Sequence, residues 1–95
     1  MLRVTKYKNL EREVLNAKNI PLTFQSGDNI DLILGVREGK HAIDVVILWN
    51  TLFQIGEYTS EQEARREYNK YLGQLKKGYG IYITSNRTAE IIEPK

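Results

Sequence analysis

Apolar and polar residues alternate through the middle of the chain, and this period of two predicts an antiparallel meander. The stretch 30–36 alternates most regularly and is expected to form a strand. Glu38 and Gly39 then provide the turn of a hairpin. The stretch 42–49 is apolar on both faces in its second half, which indicates a central strand covered on both sides. We expect a third strand over 52–58, antiparallel to the second.

A long amphipathic helix is predicted after Ser60. Ser60 and Glu63 have the spacing of a capping box, in which the hydroxyl accepts a hydrogen bond from the backbone N–H three residues on. Apolar side chains then recur at helical spacing and form a single stripe, at Ala64, Tyr68, Tyr71, Leu72 and Leu75. Lys76 and Lys77 suit the negative end of the helix dipole, and Gly78 suits a left-handed C-cap.

Shorter elements are predicted toward both ends of the chain. Residues 9–18 fit a short helix, because Asn9 can cap it and apolar residues follow at helical spacing. Residues 21–24 are expected to form a short strand. Residues 80–84 and 88–93 predict a C-terminal hairpin.

Together these elements predict an α+β fold. We expect an antiparallel meander of three to five strands with one long amphipathic helix packed on it, a short N-terminal helix and a C-terminal hairpin. The 95 residues fit one domain spanning 1–95. The expected core consists of Leu32, Leu34, Val36, Ile43, Val45, Ile47, Leu52, Ile55, Ala64, Tyr68, Leu72, Leu75, Ile81 and Ile91.

Composition places the chain among ordinary globular domains and removes several kinds of chemistry. The chain has no Cys, which excludes disulfides and thiolate metal sites, and a single His. We therefore expect no metal and no cofactor. Neither a signal peptide nor an apolar run near the roughly 20 residues of a membrane helix is present, so we expect a cytoplasmic protein without membrane contact.

Candidate catalytic groups are few, and we expect a protein that is not an enzyme. There is no phosphate-binding glycine loop and no nucleophile elbow. His41 follows a hairpin turn and is expected to have a structural or surface role. Asp44 lies in a strongly apolar strand, and because an unpaired carboxylate is costly to bury, we expect it to face solvent. Catalysis by a pair of carboxylates is the alternative.

Charge is distributed unevenly, although the net charge is only +2. Two basic and seven acidic side chains give residues 19–63 a charge of −5, whereas six basic side chains and one Glu give residues 64–87 a charge of +5. Such segregation can steer a charged partner, and a solvated surface without a partner is the alternative. The basic segment contains one candidate nucleic-acid surface with aromatic residues, formed by Arg66, Lys70, Lys76, Lys77, Tyr79, Tyr82 and Arg87.

The strand-to-helix junction over 52–71 resembles a known arrangement. The positions that carry the resemblance are Gly56, Tyr58, Thr59, Glu61, Ala64 and Tyr68. The junction is similar to the last strand and helix start of the DNA-binding domains of plant ethylene-response factors. It also resembles the arm-binding N-terminal domains of phage-type tyrosine integrases. With the hairpin at 39–40, the similarity covers about residues 30–72. It implies a three-stranded antiparallel sheet followed by a helix.

The resemblance also implies recognition of DNA by basic and Trp side chains on the exposed sheet face. Here the expected sheet carries Asp31, Asp44 and Glu57 instead. Because contacts with phosphates dominate affinity for DNA, this acidic sheet opposes docking through that face. The resemblance therefore predicts the fold more than the function.

Two classes of function fit the sequence. The first is a small non-catalytic interaction or regulatory protein, encoded by a phage or mobile element, that binds a protein partner or itself. Trp49, Phe53 and Tyr58 are its candidate interface residues, because large aromatic side chains are favoured anchors. Completion of the protein's own core is the alternative for these rings. The second class is a nucleic-acid-binding module that uses the basic C-terminal half of the long helix.

Overall fold

The protein folds as an antiparallel meander that carries one long helix and a C-terminal hairpin. The structure is a computed structural model that describes residues 2–3, 13–21, 29–47 and 51–93. The meander consists of β1 (Leu2–Arg3), β2 (Glu13–Pro21), β3 (Asn29–Arg37), β4 (Lys40–Ile47) and β5 (Thr51–Tyr58). Helix α1 (Glu61–Lys76) follows, and β6 (Gly80–Ile83) and β7 (Ala89–Ile92) form the hairpin. The predicted α+β class is confirmed.

Strand β2 occupies the second half of the predicted N-terminal helix. Residues 13–18 lie in β2, so the helix prediction is wrong there, and residues 9–12 lie outside the described residues. β2 pairs with β3 from Glu13 opposite Val36 to the end of the strand. A ten-residue helix is marginal without packing, and pairing with an apolar strand supplies the more stable alternative. Residue 21 ends β2, and residues 22–24 of the predicted strand 21–24 are not among the described residues.

The β3–β4 hairpin closes through Glu38 and Gly39, as predicted. Their φ angles are +51° and +77°. Positive φ at both central residues is the requirement of a type I′ turn, whose twist matches that of the flanking strands. This turn sets the register, with Arg37 opposite Lys40.

The main core lies between the sheet and α1. The register places the side chains of Leu32 and Val45 opposite each other on the face that the helix covers. The buried residues of this core are Ile20, Ile30, Leu32, Leu34, Ile43, Val45, Phe53, Ala64, Tyr68, Leu75, Ile81 and Ala89. Of the other residues expected in the core, Val36, Ile47, Leu52, Ile55, Leu72 and Ile91 are half-buried. The predicted apolar stripe of the helix is therefore the surface that packs on the sheet.

The opposite face of the sheet is also buried at its centre. Val14, Ile33 and Val46 form a second buried cluster there, so β4 is covered on both sides as predicted. Asp44 points to this second face, where the register sets Ile33 beside it, and it is 1% exposed. The expectation that Asp44 faces solvent is wrong, because the face on which alternation places it is itself part of the interior.

The C-terminal hairpin extends the edge of the large sheet. The backbone N–H of Gln54 in β5 donates to the carbonyl of Arg87 at 2.8 Å, and Gln54 forms a parallel bridge with Thr88. Ile81 and Ala89 anchor the hairpin in the main core. The predicted hairpin is confirmed. In the part of the chain that the structure describes, no helix is long and apolar enough to cross a membrane.

Candidate nucleic-acid interface

Both ends of α1 are fixed by local hydrogen bonds. The Ser60 hydroxyl accepts from the backbone N–H of Glu63 at 3.3 Å, which confirms the predicted N-cap. Gly78 has a φ of +100°, the left-handed conformation predicted for the C-cap. The backbone N–H of Tyr79 then donates to the Gln74 carbonyl at 3.1 Å. Helix α1 therefore has defined ends, and its outer side chains extend from a helix of fixed length.

The outer side of α1 carries a row of cations that we name the basic ridge. It consists of the cations Arg66, Lys70, Lys76 and Lys77, with Gly73 between them. At 100° per residue these positions lie opposite or beside the stripe that enters the core. The row from Arg66 to Lys77 is roughly 16 Å long at 1.5 Å per residue. The side chains of Arg66 and Lys70 are 70% and 50% exposed, so they are accessible to a large anionic ligand.

Two cations of the basic ridge have acidic neighbours on the flank of the helix. Lys70 Nζ lies 2.9 Å from the Glu67 carboxylate, and the Arg66 guanidinium lies 3.9 Å from Glu63. The hydrogen bond from Lys70 to Glu67 raises the pKa of Lys70, so this lysine stays charged at neutral pH. Exposed pairs of this kind contribute about 0–1 kcal/mol and are screened by salt. A row of phosphates can therefore compete with these carboxylates for both cations.

Arg65 belongs to a different cluster at the start of the helix. Its Nε donates to Glu61 at 2.8 Å, and the other Glu61 oxygen lies 3.7 Å from Nε2 of His41. The hydrogen bond from Arg65 is the main cause that lowers the pKa of Glu61. His41 is buried beneath this pair, at 8% exposure. The sequence did not indicate this cluster, because it joins β4 to α1 across the fold.

The remaining residues of the predicted nucleic-acid surface lie beyond the helix. Tyr79 is half-buried directly after it. Tyr82 is 56% exposed on the outer face of the hairpin, where Glu90 is its partner across the strands. Arg87 is exposed at the hairpin tip, and its backbone binds β5. The structure thus divides the predicted set into the basic ridge on α1 and a separate group on the hairpin.

Of the aromatic residues predicted for a protein interface, the structure describes Phe53 and Tyr58. Phe53 is 8% exposed and belongs to the main core, which is the alternative that the sequence left open. Tyr58 is half-buried, and its hydroxyl lies 3.3 Å from that of Tyr71. Burial, followed by this hydrogen bond, raises the pKa of Tyr58. Trp49 lies outside the described residues.

The large exposed apolar side chains of the described residues are all on the C-terminal hairpin. They are Tyr82, Ile83 and Ile92. Ile83 and Ile92 were not among the predicted site residues. The sequence does contain a signal for their exposure. Strand β6 has almost no polar side chains, so this strand of a two-stranded sheet has no polar face to turn toward solvent.

Acidic side chains of the sheet point away from the basic ridge. Asp31, Asp44 and Glu57 lie opposite Val46, Ile33 and Ala42 respectively across the strands. These positions are on the face that α1 does not cover. The same sheet face carries the exposed cations Arg37 and Lys40, so of the described residues it mixes both signs of charge, and Asp44 is buried within it. Within the described residues, no three His, Asp or Glu side chains gather as a metal site.

Comparisons with protein families, curated proteins and solved structures give no match for this chain.

Proposed function

We propose that this protein is a nucleic-acid-binding module, and that the basic ridge contacts the phosphate backbone. The observation that supports this function is the row of four exposed cations on one side of a capped helix. Phosphate contacts by Lys and Arg supply most of the affinity of non-specific nucleic-acid binding. We place this activity in the cytoplasm.

The orientation of the charge favours approach by the helix side. The basic ridge attracts a polyanion through four exposed cations, whereas the opposite face of the sheet mixes the exposed Glu57 with the exposed Arg37 and Lys40. The concentration of cations on α1 therefore favours first contact at the helix. The helix thus replaces the sheet as the docking element, in contrast to the mode that the resemblance to sheet-docking DNA-binding domains implies.

Charge reversal on the ridge tests this function. Lys70→Glu with Lys77→Glu is expected to weaken binding of a labelled DNA duplex roughly tenfold or more at low salt, because two phosphate contacts become repulsive. Fluorescence anisotropy measures the affinity, and circular dichroism verifies that the helix is retained. Arg37→Glu with Lys40→Glu is the matched control, since it changes the net charge equally at exposed positions on the sheet face that α1 does not cover. If both variants lose the same affinity for the duplex, the claim that DNA contacts the basic ridge is contradicted.

A second function, binding of a protein partner or self-association, is supported by the hairpin. Tyr82, Ile83 and Ile92 expose large apolar side chains there, and Tyr is frequent at the centres of interfaces. If this surface mediates self-association, light scattering will give a mass above that of the monomer. Tyr82→Ser with Ile92→Ser is then expected to restore the monomer. A wild-type protein that stays monomeric at high concentration removes the self-association form of this proposal.

A further inference from the structure

A glycine interrupts the basic ridge at the middle of the exposed side of α1. Gly73 comes three residues after Lys70 and four before Lys77, so the three positions are neighbours on the helix surface. Glycine in a helix interior is less favourable than alanine, because it loses more conformational freedom on folding. Its presence at this position therefore requires a reason.

The fold itself does not supply that reason. A Cβ atom built on Gly73 meets nothing within 4 Å, so no neighbouring group needs the space. Other glycines of the chain have a structural cause. Gly39 and Gly78 adopt positive φ, and a Cβ on Gly56 would lie 2.5 Å from the Tyr58 hydroxyl oxygen. At Gly73 the side-chain space is open toward solvent, between cations.

We propose that Gly73 is the point of closest approach between α1 and the sugar–phosphate backbone of duplex DNA. This inference rests on the proposed function of the basic ridge. Without a side chain at residue 73, the helix backbone can lie against the ligand while Lys70 and Lys77 reach phosphates on either side. Any side chain at this position holds the helix away and lengthens both contacts.

The spacing of the two lysines favours duplex DNA as the ligand. Lys70 and Lys77 are about 10 Å apart along the helix axis. The minor groove of B-form DNA is roughly 6 Å wide, so two flexible lysines at this spacing reach phosphates on both of its edges. In A-form RNA the minor groove is wide and shallow and the narrow groove is the deep major groove, so an RNA duplex presents its backbones differently and serves as the discriminating probe.

Single-stranded nucleic acid suits the ridge less well. Its binding sites commonly use successive exposed aromatic rings on which bases stack. Tyr71 belongs to the apolar stripe and is half-buried, and the Lys70 ammonium lies 5.0 Å from the centre of its ring. Tyr82 is exposed, but it lies on the hairpin with Glu90 across from it.

Substitutions that add bulk at residue 73 test the proposal. Gly73→Ala is expected to raise the melting temperature by a few degrees and to weaken binding to a labelled DNA duplex severalfold. Gly73→Leu is expected to weaken binding more than Gly73→Ala, while the fold is retained. Thr59→Leu is the control, because it adds an apolar side chain at an exposed position before the helix begins, away from the cations of the ridge. We expect its affinity to equal that of the wild type.

The outcomes separate this inference from the proposed function. If both Gly73 variants bind the duplex as tightly as the wild type while Lys70→Glu with Lys77→Glu loses binding, the ridge functions without close approach at Gly73 and the inference is wrong. If the wild type binds a single strand of the same sequence, or an RNA duplex, more tightly than the DNA duplex, the assignment of the ligand is wrong. If the wild type binds none of the three probes at low salt, the proposed function itself fails.

Discussion

Tyr68 joins α1 to the centre of the sheet through one buried hydrogen bond. Its hydroxyl donates to the carbonyl of Leu32 in β3 at 2.7 Å, and its ring belongs to the main core. Burial raises the pKa of Tyr68 to about 12, and the charge of Asp31 is a smaller cause of the same shift. The phenol is therefore held neutral in the folded protein.

The raised pKa gives stability a defined dependence on pH. An unfolded Tyr ionises near its ordinary value of 10.0, before the folded one does. The contribution of Tyr68 is therefore fully present below pH 10 and is lost as the pH rises toward 12. We expect Tyr68→Phe to lower the free energy of unfolding by about 0.5–1.5 kcal/mol at neutral pH. Above pH 10 the variant should lose less stability than the wild type. Urea unfolding at both pH values checks this, and parallel curves at high pH contradict the assignment.

Gly56 is required by the position of the Tyr58 ring. A Cβ at residue 56 would lie 2.5 Å from the Tyr58 hydroxyl oxygen and 2.9 Å from the adjacent ring carbon. Gly56→Ala must displace the ring and with it the contact between the hydroxyls of Tyr58 and Tyr71. We expect a loss of about 1–3 kcal/mol in the free energy of unfolding.

The control for this prediction measures Gly56→Ala in a protein that lacks the Tyr58 ring. In a Tyr58→Val protein the obstructing ring is absent, so Gly56→Ala should then cost much less, and a double-mutant cycle measures the difference. If Gly56→Ala lowers the free energy of unfolding equally in both backgrounds, the Tyr58 ring is not the cause of the strain.

At the scale of the element, the β3–β4 turn contains a residue in an unfavourable conformation. Glu38 has a φ of +51°, a region that Asn adopts more readily than Glu. Glu38→Asn creates the Asn-Gly pair that type I′ turns prefer and should raise the free energy of unfolding by up to about 1 kcal/mol. Thermal unfolding checks this. Glu38→Ala removes the same charge without favouring the turn, so a gain of similar size in that variant assigns the effect to charge instead.

Elements whose signals are local can be predicted from the sequence. The limits of α1 follow from Ser60 and Gly78, and its buried face follows from side chains at helical spacing. The spacing of residues 13–18 is ambiguous and favours a helix, whereas their structure depends on pairing with β3, which is distant in sequence. The burial of Asp44 cannot be predicted for a related reason, since burial of the second sheet face depends on the whole fold.

Some residues of the candidate site can likewise be predicted from the sequence, and others cannot. Exposure of Lys70 and Lys77 follows from the period of the helix, so the basic ridge can be predicted without a structure. The position of Tyr82 and Arg87 cannot, because it depends on how the hairpin joins β5. The sequence shows a glycine at residue 73, but only the structure shows that the space around a Cβ atom there is empty.

At the scale of the whole molecule, the small net charge conceals a local concentration of positive charge. The chain carries only +2 in total, yet four exposed cations gather on the outer side of α1, whereas the opposite sheet face mixes the exposed Glu57 with the exposed Arg37 and Lys40. Long-range attraction by the row of cations sets the orientation in which a polyanion meets the protein. We therefore expect affinity for DNA to depend on the ridge far more than the net charge indicates.

The dependence of duplex affinity on salt tests this account most directly. Binding of a labelled DNA duplex is measured by fluorescence anisotropy over a range of salt concentrations, for the wild type and for Lys70→Glu with Lys77→Glu. Four phosphate contacts predict a slope of about −3 to −4 in the plot of log affinity against log salt, and loss of two contacts predicts about half that slope. No binding by the wild type at low salt, or the same slope and affinity in the ridge variant, would contradict the claim that the basic ridge of α1 binds nucleic acid.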